Sequence, residues 1–444
     1  MRKEWALLLG VVAVTTMIVL AGVRWFAPQL LGIPIDLQSV RVSEELPAFY
    51  EGIFRSVDSQ EFLLKDPYVR VRAQPFMPRG FALGPHDLLG FRNRRIPNIA
   101  DVIVLGDSQT YGNNVLMEYN WPSQLQSVLG NQVSVYSMAT GGWGAVQYLD
   151  MFAKSLFFRP QLAVVAFYSG NDPLESYVLA YGEEKWSPLK VANNLDESDK
   201  APAVNFPAPP AESWPVTFGD GIETVFTPKL RLQSNDVDFA VVREGWAIME
   251  KVGANISELA GKYNVMLVYT IIPTKELAYH RKIDAEGINP DPLYNRLART
   301  ERANVDRLAE SFSRLKNVTY ADVVTPLQQA ALQPVSIYPN DTNGHPTDTG
   351  YKVIARVISS VVKRLLPPMR RTLAVATLPD DSKQYLLLTK HGTIWFRTPE
   401  TAEGNGWKLT DAKRLRLRDF TRLPFLGFVN NVEPSSFGPD SNRN

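Results

Sequence analysis

The pattern of hydrophobic and polar positions changes near residue 100. From there, continuous apolar runs alternate with segments in which apolar residues recur every three or four positions. The continuous runs predict strands buried on both faces, and the recurring positions predict helices with one buried face. We predict strands at 101–105, 133–136, 162–167, 265–272 and 318–320, and helices at 121–129, 145–158, 244–263, 296–315 and 350–366. This alternation predicts a three-layer α/β/α domain with a five-stranded parallel sheet.

Regions outside this alternation define the rest of the predicted organisation. Residues 27–99 form an irregular lead-in to a domain at 100–368, and a proline-rich insert at 183–235 interrupts that domain. We expect the insert to be a loop or cap because the alternation resumes after it. Short strand-like runs predict a small β-rich appendage at 369–425, and the polar residues 426–444 predict a disordered tail.

The N-terminal residues predict a membrane anchor. The stretch from Trp5 to Val23 contains no ionisable side chain, and its length suits one helix across a hydrocarbon core of ~30 Å. Trp5 and Trp25 stand at its two ends, where indoles favour the membrane interface. Arg24 makes the sequence a poor signal-peptide cleavage site. We predict that residues 1–26 are an uncleaved single-pass anchor in the cytoplasmic membrane. Its N-terminus would be cytoplasmic and the remaining chain periplasmic or extracellular.

Composition restricts the classes of function. The chain of 444 residues is 45% hydrophobic and 21% charged, which is typical of globular proteins. A formal net charge of +1 disfavours a nucleic-acid partner. The chain has no cysteine, which excludes disulfides, thiolate metal sites and a cysteine nucleophile. We find no metal-ligand spacing and no phosphate loop, so we expect no metal and no cofactor.

A candidate nucleophile follows the first predicted strand, in Gly106-Asp107-Ser108-Gln109. The carboxyl-terminal tip of a buried strand is where an open α/β sheet presents a reactive serine. Of the four histidines, His345 is the candidate base, because its loop leads into the last helix and can fold over the strand tips. Asp341 lies in the same loop and is the candidate carboxylate that orients the base. For the other three histidines we prefer a structural role to a catalytic one: His86, His280 and His391.

Candidate oxyanion donors follow the second and third predicted strands. Gly141 and Gly142 follow the second strand, and a glycine lets a backbone N–H approach a ligand closely. Asn171 follows the third strand and offers a side-chain amide. Serine, glycine and asparagine therefore stand at the ends of three strands along one edge of a parallel sheet.

These blocks resemble those of the SGNH hydrolases, within the GDSL esterase and lipase superfamily. Gly106-Asp107-Ser108-Gln109-Thr110, Gly141-Gly142-Trp143-Gly144, Ser169-Gly170-Asn171-Asp172 and the segment from Asp341 to His345 match the family blocks in order. The resemblance covers about residues 87–366, and we predict a sheet of flavodoxin-like type there. It implies that Ser108 is the nucleophile and His345 the base. It also implies an oxyanion hole formed by the Ser108 and Gly142 amides and the Asn171 side chain.

The chain departs from the family pattern in three places. Gln109 replaces the more frequent leucine, and Gly170-Asn171 lacks the spacer of Gly-x-Asn. Asp341 stands four residues before His345 rather than three, so either Asp341 or a backbone carbonyl orients the base. We expect Asp107 to support the nucleophile turn by hydrogen bonding.

The resemblance implies acyl transfer from an oxygen ester. Water as acceptor gives an esterase, and a sugar hydroxyl gives an O-acyltransferase. The segment 272–276 resembles family members associated with acylation or deacylation of envelope polysaccharides, so we expect an acylated glycan or other ester as substrate. A transferase would also need either a multi-span partner that supplies the acyl group across the membrane or an external acyl donor.

Two other functional classes stay open at this stage. One is a non-catalytic glycan-binding or scaffold protein, and the other is a lipase or lysophospholipase. Lys275 and Glu276 either line the pocket or pair on the surface, and the surface pair is preferred. The aromatic residues Trp121, Trp143 and Tyr177 are either core residues or platforms on which sugars stack.

Overall fold

The computed structural model describes residues 63–75, 84–97, 99–130, 133–192, 212–366, 372–389, 392–404 and 407–429. These residues belong to two compact units, the first ending at Leu366 and the second beginning at Thr372. The predicted anchor at 1–26 lies outside the described residues. Among the residues that are described, no helix has both the length and the apolar character needed to cross a membrane.

The first unit alternates strands with helices. Its described strands are β1 (Leu63–Asp66), β2 (Arg70–Ala73), β3 (Val102–Gly106), β4 (Val135–Ala139), β5 (Leu162–Tyr168), β6 (Trp214–Thr217), β7 (Glu223–Phe226), β8 (Met266–Ile272) and β9 (Val318–Tyr320). Its described α-helices are α1 (Ser108–Tyr111), α2 (Trp121–Leu129), α3 (Ala145–Ser155), α4 (Asp172–Gly182), α5 (Pro228–Leu232), α6 (Ala240–Tyr263), α7 (Lys275–Ala285), α8 (Pro292–Ser313), α9 (Val324–Ala331) and α10 (Asp348–Leu365).

The central sheet is parallel and has the order β4-β3-β5-β8-β9. Numbered within the sheet, this is the order 2-1-3-4-5 of flavodoxin-like folds. Every residue of β3 and β5 is buried, so helices cover both faces of the sheet. The prediction of an α/β domain with a five-stranded parallel sheet is confirmed. All five strands end at one edge, where β3, β4 and β5 lie side by side.

Five of the described helices in this unit were not predicted, and element ends shift by a few residues. The unpredicted helices are α1, α4, α5, α7 and α9. The α7 sequence, KELAYHRKIDA, has no dominant apolar stripe, so periodicity gives no signal for it. Helix α3 ends at Ser155, and a short 3₁₀ turn continues to Phe158 before Arg159 adopts the left-handed conformation at φ 53°. The second predicted strand, 133–136, is instead Val135–Ala139.

The insert and the lead-in each contain a β-hairpin. In the insert, β6 pairs with β7, and the Trp214 ring packs on the Phe226 and Tyr294 rings, 5.5 and 4.8 Å between centroids. The helix α5 follows this hairpin directly. In the lead-in, β1 pairs with β2, and Trp143 Nε1 donates to Val71 O at 2.7 Å. The lead-in, predicted to be irregular, is therefore ordered at this hairpin and fixed beside the domain.

The second unit is a small mixed sheet with two short helices. Its elements are β10 (Thr372–Thr377), β11 (Lys383–Thr389), β12 (Gly392–Trp395), α11 (Pro399–Gly404), β13 (Lys413–Leu415), α12 (Leu417–Phe420) and β14 (Phe425–Phe428). The strand order is β13-β10-β11-β12-β14. Ala374, Ala376, Leu386 and Phe420 form its core. Strand β14 continues beyond residue 425, where the sequence suggested that the disordered tail begins.

Candidate active site

Ser108 begins α1 immediately after β3, in a turn that is held by Asp107. One carboxylate oxygen of Asp107 accepts from Gln109 N at 2.9 Å, and the other accepts from Ser108 Oγ at 3.3 Å. A Cβ on Gly106 would lie 2.1 Å from Thr110 Oγ1, so this tight turn requires glycine. Asp107 is fully buried, and burial raises the pKa of its carboxyl to about 7. Asp107 therefore makes the supporting contacts expected of it.

His345 lies within hydrogen-bond distance of the candidate nucleophile. Its Nε2 is 2.8 Å from Ser108 Oγ, although the two residues are 237 positions apart in the chain. Gln109 Nε2 donates to Gly344 O at 3.2 Å, which ties the histidine loop to the nucleophile turn. Removal from water and, to a smaller extent, the positive charge of Arg231 together lower the pKa of His345 to about 3. The imidazole is therefore neutral near pH 7 and able to accept a proton.

Asn343, and not Asp341, contacts the other ring nitrogen of His345. Asn343 Oδ1 accepts from His345 N at 3.1 Å and lies 2.7 Å from His345 Nδ1. A backbone N–H can only donate, so this Asn343 atom is an acceptor and Nδ1 carries the ring proton. The unprotonated Nε2 then faces the Ser108 hydroxyl, as a general base requires.

The prediction that Asp341 or a backbone carbonyl orients the base is therefore corrected. Asp341 Oδ1 accepts from Asn343 N at 2.8 Å, in an exposed turn. The short side chains of aspartate and asparagine commonly bond the backbone two residues on. Asp341 bonds Asn343 in this way, and Asn343 bonds His345. This turn geometry gives the contact with the base to Asn343.

The candidate oxyanion donors lie at the tips of the strands on either side of β3. Gly142 has φ 76° and is exposed, and a Cβ on the preceding Gly141 would lie 3.8 Å from Ser108 Cβ. Asn171 Nδ2 donates to Trp143 O at 3.4 Å, a long bond that holds the amide weakly. The structure thus brings the glycine loop beside Ser108 and the asparagine beside the glycine loop. Their role in binding an oxyanion stays a prediction.

Neighbouring buried residues fix these loops. Asp172 accepts from Tyr168 N at 2.8 Å and from Tyr148 Oη at 3.0 Å, and so closes the turn that carries Asn171. Trp121 and Trp143 are 0% and 1% exposed. Both tryptophans are therefore core residues and not surfaces for stacking a sugar.

Lys275 and Glu276 are buried, which corrects their interpretation as a surface pair. Each is 1% exposed. Lys275 Nζ donates to Asp341 O at 2.6 Å, and burial lowers the pKa of this ammonium to about 8. Glu276 Oε1 accepts from Thr227 N at 2.7 Å. The pair therefore braces two loops, the one that carries His345 and the one that leads into α5. In the described part of the chain, no group of three or more His, Asp or Glu side chains could hold a metal ion.

Sequence reasoning missed Asn343 and Arg231. The signal for Asn343 was an asparagine two residues before the candidate base, within the loop already singled out. Arg231 carries no motif and comes from the insert, so only the folded chain shows it beside His345. A Cβ on Gly344 would lie 2.5 Å from Arg231 Nη2.

Comparisons with known proteins give structural similarity at low identity. No protein-family model matches the chain, and no curated protein matches it. Three solved structures each cover 60% of this chain. A GDSL-like lipase from Bacteroides thetaiotaomicron is 13% identical, with 88% of its own chain covered and a TM-score of 0.32. TesA is 14% identical, with 99% covered and a TM-score of 0.32. A carbohydrate acetylesterase from Sinorhizobium meliloti is 13% identical, with 100% covered and a TM-score of 0.31.

Proposed function

We propose that this chain is a serine acyl-ester hydrolase or O-acyltransferase of the SGNH type. The observation that carries the proposal is the 2.8 Å contact between Ser108 Oγ and His345 Nε2, at the sheet edge where Gly142 and Asn171 also lie. A nucleophile, a base and polar donors at one edge are the parts that acyl transfer requires.

The reaction begins with attack of Ser108 Oγ on the carbonyl carbon of the substrate ester, as its proton passes to His345 Nε2. The negative charge on the carbonyl oxygen is held by the Ser108 and Gly142 N–H groups and the Asn171 amide. Collapse breaks the ester C–O bond, and His345 returns the proton to the leaving alcohol. An acceptor hydroxyl then gives its proton to His345 and attacks the acyl-serine, which frees Ser108.

The charges of the site restrict how easily this cycle runs. Asn343 is neutral, so it orients the His345 ring without stabilising the positive imidazolium that forms during attack. Arg231 disfavours that imidazolium further, because it holds the pKa of His345 down. We therefore expect slow turnover of small neutral esters.

The proposed substrate is an acylated envelope or exported polysaccharide. The proposed location is outside the cytoplasmic membrane, with residues 1–26 as a single-pass anchor. Support comes from the sequence patterns at the N-terminus and at 272–276. If a sugar is the acceptor, one span cannot deliver an acyl group, and a multi-span partner supplies it.

The proposal is tested by single-turnover reaction of the full chain with a short aryl acetate ester. We expect a burst of aryl alcohol and a covalent acetyl group on Ser108, both abolished by Ser108→Ala. Ser360→Ala is the matched control, because this serine is exposed on α10, and it should react as the unaltered chain does. A burst that persists in Ser108→Ala contradicts the proposal. A folded chain without any burst favours a non-catalytic glycan-binding protein.

A second measurement decides between hydrolysis and transfer. An oligosaccharide acceptor is added to the acetylated chain, and the products are separated by mass. Free acetate alone identifies an esterase, whereas an acetylated oligosaccharide identifies a transferase.

A further inference from the structure

Arg231 lies beside the candidate base, although it comes from the insert. It is carried by α5, and its Nη2 would be 2.5 Å from a Cβ on Gly344, the residue before His345. A Cβ at position 344 would therefore require the guanidinium to move. The glycine leaves room for a cation directly against the catalytic loop.

The Arg231 guanidinium interacts electrostatically with Tyr168, Glu276 and Glu301 but is not held by a hydrogen bond. Among the residues that the structure describes, none accepts a hydrogen bond from its three nitrogens, and the residue is only partly buried. A guanidinium has five N–H donors, and charged groups drawn out of water are normally paired. A ligand that reaches His345 can therefore also reach unsatisfied donors on Arg231.

The segment that carries Arg231 is fixed to the catalytic loops. Asn235 Nδ2 donates to Arg231 O at 3.2 Å and to Ser169 O at 3.0 Å, two residues before Asn171. Asn304 Nδ2 in turn donates to Asn235 O at 3.0 Å. A cation held by a rigid mount binds an anion at a smaller entropic cost than one on a mobile chain.

A second unsatisfied polar group lies at the same place. Tyr168 Oη is buried and has no hydrogen-bond partner among the described residues. It would be 3.7 Å from a Cβ on Gly344, so it and Arg231 Nη2 approach the same residue. Two unsatisfied donors at one point are costly to the folded chain unless a ligand or solvent satisfies them.

We propose that Arg231 binds a carboxylate of the substrate, and hence that the acylated glycan contains uronic acid. This inference rests on the function proposed above and names its substrate class. The guanidinium fork matches a planar carboxylate with two parallel hydrogen bonds.

The surrounding charges favour a single negative charge over a phosphate dianion. Lys275 lies close enough for Arg231 to lower the pKa of its ammonium, which donates to Asp341 O. Tyr168 and the carboxyl groups of Glu276 and Glu301 raise the pKa of Arg231. These acidic neighbours already offset part of the positive charge, which suits an anion with one negative charge.

Binding of a carboxylate would also assist the base. Arg231 disfavours the charged form of His345. A substrate carboxylate on the guanidinium offsets that positive charge, so His345 takes the Ser108 proton more readily. The anion would therefore increase kcat as well as reduce KM.

The test compares two esters that differ only in charge. One is an O-acetylated oligoglucuronate, and the other is the same oligosaccharide after its carboxylates are reduced to alcohols. For the full chain we expect kcat/KM to be about 10- to 100-fold higher for the acidic ester. This is the discrimination that hydrogen bonds to a charged group provide. In Arg231→Gln we expect the ratio to fall to about one, and in Arg231→Lys to an intermediate value.

Lys229→Gln is the matched control, because it removes one positive charge from the same short helix. Lys229 is exposed and paired with Glu212, so the ratio should be unchanged. Equal losses on both esters in Arg231→Gln would assign Arg231 a structural role and overturn the proposal, as would an unaltered chain with no preference. A competition experiment gives a further test, in which an aryl ester labels Ser108. The proposal would also be overturned if glycerol phosphate protected Ser108 from this label and glucuronate did not. That labelling reaction uses a neutral ester, so its success or failure tests the catalytic proposal separately.

Discussion

The contact between Asn343 and His345 predicts a specific kinetic effect. In Asn343→Ala the ring loses the acceptor that holds the proton on Nδ1, and His345 N loses its partner. Each hydrogen bond contributes about 0.5–1.5 kcal/mol, so the pair contributes about 1–3 kcal/mol. Since 1.36 kcal/mol is a factor of ten in rate, we expect acylation of Ser108 to slow by roughly 5- to 150-fold.

The assay is the burst of aryl alcohol from an aryl acetate at pH 7, with Asp341→Ala as the control. The Asp341 carboxylate accepts one exposed bond, from Asn343 N, so we expect a loss of less than about fivefold. A larger loss in Asp341→Ala than in Asn343→Ala would refute the assignment of Asn343 as the residue that orients the base.

Asn343→Asp separates orientation from charge at the same position. The carboxylate keeps the acceptor for Nδ1 and adds a negative charge, which raises the pKa of His345 by about 1–3 units. From the value of about 3, the pKa would move to between about 4 and 6. Acylation should remain fast at pH 8 and decline toward pH 4. An unchanged pH profile would show that Asn343 does not contact the base.

Three further results are expected from the same geometry. Asn171→Ala should reduce kcat for the aryl ester by about 10²- to 10³-fold, measured by steady-state hydrolysis, because one oxyanion donor is lost. The acylation rate of the unaltered chain should be level between pH 5 and pH 8, because His345, with a pKa of about 3, is neutral above that value. A decline near pH 6 in stopped-flow data would contradict this. Gly344→Ala should reduce the ratio of kcat/KM for an acidic over a neutral ester, because its Cβ would displace the Arg231 guanidinium.

The sheet and the meeting of its three loops could be predicted because they follow from chain direction. Strands β3, β4 and β5 are parallel neighbours, so the residues after them share one edge. Their continuous apolar sequences predicted burial on both faces, and every residue of β3 and β5 is buried. The residue type after each strand was then enough to place Ser108, Gly142 and Asn171 along that edge.

Side-chain partners within the loops could not be predicted in the same way. Asp341 and Asn343 are both short polar residues near His345, and only the turn geometry decides which of them contacts the ring. Lys275 and Glu276 looked like a surface pair because their charge normally keeps such residues exposed. They are buried because the folded chain supplies Asp341 O and Thr227 N as partners.

The position of Arg231 could not be predicted, because the sequence of the insert that carries it has no hydrophobic periodicity. Arg231 nevertheless changes the charge balance of the site. Asn343 is neutral, and Asp107, a carboxyl whose pKa is raised by burial, bonds Ser108 Oγ. Arg231 adds a positive charge beside the ring of His345. Among the described residues, no carboxylate therefore contacts the ring of the imidazolium that must form during attack. A substrate that carries its own carboxylate to Arg231 supplies the missing negative charge, which makes anion binding and proton transfer two effects of one contact.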